Sequence, residues 1–162
     1  ERRKDIASKL RDFERQGDLT IVSRIGDDVE DVADRIELIE DAGLLDQIGV
    51  DTAGIGAIVD AITERGIAHE RIVGIPQGWK LVGAIKTLER KLAGGDITHG
   101  ARPLMAWSVG NALAEPRGNA MMITKQISGS GKIDPLIALF NAVALMAMNP
   151  RARKKKYQAF FV

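Results

Sequence analysis

The chain is 162 residues long, with 45% hydrophobic and 28% charged residues, the balance of a folded domain with a core of its own. It has no cysteine and only two histidines, His69 and His99, which excludes disulfides, thiolate zinc sites and a histidine-rich metal centre. Net charge is +1, yet residues 1–70 carry 18 Asp+Glu against 9 Lys+Arg, so the basic residues concentrate in the second half and point there to a polyanion partner.

In chain order, Ile6, Leu10 and Phe13 recur at helical spacing and predict a helix over 4–16, stopped by Gly17. Residues 18–25, rich in β-branched side chains, read as a strand. Asp27 with Glu30 three residues on has the pattern of a capping box. The helix it opens should turn Val29, Val32, Ala33, Ile36 and Ile39 inward and end at Gly43. Residues 47–50 read as a short strand ending at Asp51, and a helix with Ile58, Val59 and Ile62 inward follows. Residues 71–75 form the next strand, and Leu81, Ile85, Leu88 and Leu92 mark a helix over 80–92. Pro103 starts a further helix. Segments 112–114 and 120–124 flank a turn-like Glu115–Asn119 and read as a hairpin.

A Gly/Ser turn at 128–131 leads to Asp134-Pro135 and an apolar run to Met148, interrupted only by Asn141. Asp at the N-cap with Pro at the first helical position is a strong helix start. A helix apolar all round belongs in a core, and this one is too short for a bilayer. Strands alternating with helices argue a layered α/β domain over residues 1–149, with a basic tail over 150–162.

Two carboxylates stand at structural junctions. Asp51 ends a strand, where ligands collect in open α/β sheets; it equally suits a turn cap. Asp134 suits an N-cap, which would itself hold the carboxylate in place. If the two converge they offer hard oxygen ligands for Mg²⁺ or Mn²⁺. Lys125 and Lys132, flanking the Gly/Ser turn, could hold phosphates beside them. Ser128-Gly-Ser-Gly-Lys132 is no Walker loop, because Gln126 and Ile133 occupy positions that need Gly and Ser or Thr. Gly54-Ile55-Gly56 lacks the third glycine of a dinucleotide fingerprint.

Ile48-Gly-Val-Asp51, Ile75-Pro-Gln-Gly78, Leu92-Ala-Gly-Gly-Asp-Ile-Thr-His-Gly100, Pro103-Leu-Met-Ala-Trp107, Asn111, Asn119, Lys125 and Lys132-Ile-Asp134 follow in an order that resembles the C-terminal nuclease domain of the large terminase subunit of tailed bacteriophages. The resemblance covers residues 4–149. It implies an RNase H-like α/β/α fold with a mixed sheet whose first strands precede residue 1. It implies a Mg²⁺- or Mn²⁺-dependent endonuclease that cuts concatemeric double-stranded DNA during packaging. Of three acidic metal ligands in that family, Asp51 matches the second and Asp134 the third; the first would lie upstream of this chain, leaving its own activity in question. Expected partners are double-stranded DNA, the portal protein, the small terminase subunit and an ATPase domain upstream in the same polypeptide, in the host cytoplasm and without a membrane. The rival readings are another RNase H-like nuclease of resolvase type and a non-catalytic assembly module.

Overall fold

The structure, a computed structural model, describes residues 4–118, 120–125 and 130–148. Among the described residues, six α-helices and four strands run in the order α1 (Ala7–Arg15), α2 (Asp27–Asp41), β1 (Ile48–Val50), α3 (Gly56–Glu64), β2 (Ile72–Gly74), α4 (Val82–Ala93), α5 (Pro103–Gly110), β3 (Ala112–Arg117), β4 (Ala120–Lys125) and α6 (Asp134–Ala147). β1 and β2 pair in parallel, Val50 opposite Gly74, with α3 as their crossover. β3 and β4 form an antiparallel hairpin paired from Ala112–Lys125 to Arg117–Ala120. The strand pairing therefore extends further toward the turn than the composition of Glu115–Asn119 indicates; Asn119 itself lies outside the described residues. Parallel and antiparallel pairing are both present, divided between two two-stranded sheets.

Two cores form. One joins Ile75, Leu81, Ile85 and Leu88 to Leu136, Phe140, Val143 and Leu145 of α6. The other packs Ala33 of α2 against Ala61, Ile62 and Ile67. No helix among the described residues is long and apolar enough to cross a membrane.

Four local expectations need correction. Residues 18–25 form no strand. Three of them bond to helices instead of to a strand: the Asp18 carboxylate accepts from Leu104 N–H at 3.0 Å, Ile21 N–H donates to Glu14 Oε1 at 3.3 Å, and Thr20 Oγ1 accepts from Arg35 at 3.3 Å. Ile21 and Ile25 stay exposed, so no apolar face rewards strand pairing there. The capping box is absent too. Gly26, at φ 102°, takes the N-cap position of α2 with no side-chain cap, and Asp27 is already helical. On α2 only Ala33 is fully buried; Val32 and Ile39 face outward. Finally, α6 is not buried all round: Ala138, Ala142 and Met146 lie on an exposed face, whereas Asn141, the one polar residue within its apolar run, is buried.

Candidate active site

The acidic half of the chain is largely a scaffold. Arg65 is held by Glu30 and Asp34, and Glu37 lies 3.7 Å away. Arg71, buried under β2, reaches both oxygens of Glu40 at 2.6 and 2.8 Å and the carbonyls of Leu45 and Asp46. Hydrogen bonding to Glu30 and then Asp34 raises the pKa of Arg65, and hydrogen bonding to Glu40 raises that of Arg71. These arginines tie α2 to α3 and to β2, and leave those carboxylates paired rather than open to a ligand.

Asp51 is placed differently. It follows β1 directly, and its Oδ1 accepts a hydrogen bond from Ala53 N–H at 3.1 Å, an Asx turn that fixes its rotamer. The side chain is exposed and in no ion pair among the described residues. Parallel pairing brings the turn after β1 beside the end of β2: Ile75 N–H donates to Val50 O at 2.8 Å. The approach is so close that a Cβ on Gly74 would stand 2.6 Å from Thr52 Cγ2.

From that edge the chain reaches α6. Gln77 Nε2 donates to Ile75 O at 2.8 Å and to Asn141 Oδ1 at 3.0 Å, which satisfies the buried amide. Gly49 lies against Asn141 and Leu145. Asp134 precedes Asn141 by seven residues, which returns an α-helix to within about 20° of the same face. Asp134 is therefore on the side of α6 that Asn141 turns toward the strands, about 10 Å back along the axis at 1.5 Å per residue.

Asp134 is not the N-cap. Ile133 occupies that position without a side-chain cap, and Asp134 and Pro135 are the first two helical residues. A first-turn carboxylate faces the positive end of the helix dipole. It is exposed and, among the described residues, makes no hydrogen bond or ion pair. The start of α6 is held from α5 instead: Ser108 Oγ and Asn111 Nδ2 both donate to Lys132 O, at 3.2 and 3.1 Å. Lys132 is half-buried, and Lys125 is exposed at the end of β4. Gln77, Ser108 and Asn141 escaped sequence reasoning. Asn141 carried a signal as the one polar residue in an apolar run; Ser108 carried none.

Among the described residues no three His, Cys, Asp or Glu side chains gather as a metal-binding group. Asp51 and Asp134 nevertheless fit a hard cation in kind, being unpaired carboxylates. Further ligands would have to come from water, substrate phosphate or other parts of the protein.

A parallel strand pair crossed by a helix, an antiparallel hairpin and a final helix packed on the first strand make an α/β domain. The crystal structure of the HK97 bacteriophage large terminase has the same fold, with a TM-score of 0.67 and 22% identity over 88% of this chain and 31% of that one. The chain thus spans about a third of that protein's length. No curated protein matches it in sequence. The family described as terminase large subunit, endonuclease domain, matches residues 2–150, and the chain belongs to that family.

Proposed function

We propose that this domain is the metal-dependent endonuclease of a phage or prophage large terminase subunit, cutting concatemeric double-stranded DNA during packaging in the host cytoplasm. The observation that carries the reading is the pair of exposed carboxylates free of ion pairs among the described residues, Asp51 just after β1 and Asp134 at the start of α6, at the ends of two directly packed elements of a chain from an endonuclease family. Asp51, fixed by its Asx turn, and Asp134, fixed by the start of α6, would hold Mg²⁺ or Mn²⁺ together with an acidic residue outside this chain. A bound divalent ion acidifies a water and offsets charge on the phosphoryl and leaving oxygens. Neither carboxylate needs to act as nucleophile or proton donor, in keeping with the absence of Cys. Lys125 and Lys132 hold backbone phosphates, which positions the duplex without reading its sequence. The partners are the upstream ATPase domain, the small terminase subunit and the portal protein.

The test is plasmid cleavage by the full-length parent protein. Asp51→Asn and Asp134→Asn should each lower Mn²⁺- or Mg²⁺-dependent cleavage by more than about 100-fold, the upper end of what loss of a supporting partner costs a metal site. Both variants should still bind DNA, because phosphate attraction comes from the basic residues. Full activity in either variant removes that aspartate from the site. Full activity in both, or cleavage surviving a chelator, removes the metal mechanism. Preference for branched over linear duplex would transfer the assignment to the resolvase type.

A further inference from the structure

We infer that Ser108 and Asn111, at the C-terminal end of α5, are positioning residues for the Asp134 carboxylate, acting through the Lys132 carbonyl. The inference rests on the reading of Asp134 as a metal ligand. The start of α6 has a holding problem. Gly131, three residues before Asp134, has no side chain with which to anchor the approach to the helix. The N-cap of α6, Ile133, offers no side-chain acceptor to the first helical N–H groups. Asp134 is itself exposed and unbonded among the described residues, so nothing in its own side chain fixes where the carboxylate points.

Two donors from another helix supply what the cap does not. Ser108, with no exposed surface, and the Asn111 amide converge on one carbonyl oxygen two residues before Asp134. A carbonyl with two lone pairs accepts both, and each donor restricts it along a different line. Gly131 completes the clamp. A Cβ at that position would stand within 3.0 Å of the Cγ, Oδ1 and Nδ2 atoms of Asn111, so only glycine lets the chain pass that close. The N-terminal end of α5 is fixed too, where Asp18 accepts from Leu104 N–H and pairs with Arg102, and farther along the helix Trp107 packs on Phe13 with ring centroids 5.4 Å apart. A helix held at both ends is a rigid support. Residues that orient a metal ligand in this way typically cost 10–100-fold in metal affinity when lost.

The experiment measures Mn²⁺ binding by the full-length protein without DNA, from the loss of the free-ion electron paramagnetic resonance signal. Asn111→Leu removes the donor at similar size, Ser108→Ala removes the hydroxyl, and Gly131→Ala forces Asn111 aside. Each should weaken Mn²⁺ binding by about 10-fold, with cooperative melting and DNA affinity retained. In an Asp134→Asn background, Asn111→Leu should have no further effect on Mn²⁺, the signature of two residues acting through one route. Unchanged Mn²⁺ affinity in Asn111→Leu and Ser108→Ala overturns the positioning role; should Asn111→Leu fail to fold, Ser108→Ala decides alone. Unchanged Mn²⁺ binding in Asp134→Asn instead overturns the ligand assignment beneath it.

Discussion

Gly49 lets Leu145 reach the backbone of β1: a Cβ on residue 49 would stand 3.0 Å from Leu145 Cδ1, 3.1 Å from Asn141 O and 3.2 Å from Ile75 Cγ1. Three neighbours from α6 and from beyond β2 thus fill the space that a side chain would take. Gly49→Ala should overpack this junction and cost about 1–3 kcal/mol, seen as a lower midpoint in urea with an unchanged slope. Because the junction lies between the elements that carry Asp51 and Asp134, cleavage should fall more than DNA binding. A Gly49→Ala protein as stable and active as the parent would show that β1 and α6 can separate freely.

Arg71 is the strongest stability probe. Its guanidinium bonds both oxygens of Glu40 and two backbone carbonyls while buried, so Arg71→Ala removes the forked bridge from α2 to the start of β2. The expected loss is about 2 kcal/mol, from the hydrogen bonds to charged and backbone acceptors that disappear, or roughly 4–8 °C in Tm for a domain of this size. Arg71→Lys should recover only part, because an ammonium cannot reproduce the forked geometry. Calorimetry on the two variants checks the order.

Lys125 and Lys132 should contribute through phosphate charge alone. Lys125→Ala and Lys132→Ala are each expected to reduce the slope of log affinity against log salt by about 0.9 for duplex DNA, equally for unrelated sequences. A slope unchanged by either substitution would place that lysine off the DNA path.

The basic run Arg151, Arg153, Lys154, Lys155 and Lys156, followed by Phe160-Phe161-Val162, lies outside the described residues; its apolar end suits a docking peptide, and the family resemblance implies the portal as the partner. Deleting residues 151–162 should leave the melting transition in place and weaken portal binding more than cleavage. Portal affinity unchanged by the deletion would remove that role.

Helix periodicity, glycine stops and short β-branched runs were enough to place α1, α3, α4, α5 and both strands of the parallel pair. These are local consequences of side-chain spacing and backbone freedom. The order of motifs also carried the family, and with it Asp51 and Asp134 as the residues to examine. Tertiary structure decided the rest. The β-branched run at 18–25 found side-chain partners and no strand neighbour, so its propensity counted for little. Two apparent caps, at Asp27 and Asp134, proved to be first-turn residues, since cap identity depends on dihedral angles one residue apart. Asn141 changed from an interruption of an apolar run to the buried partner of Gln77, 64 residues away. The start of α6 is held by Ser108 and Asn111, over 20 residues upstream of the carbonyl they share. Spacing within a segment is written in the chain; convergence of distant donors on one oxygen arises only when helices pack.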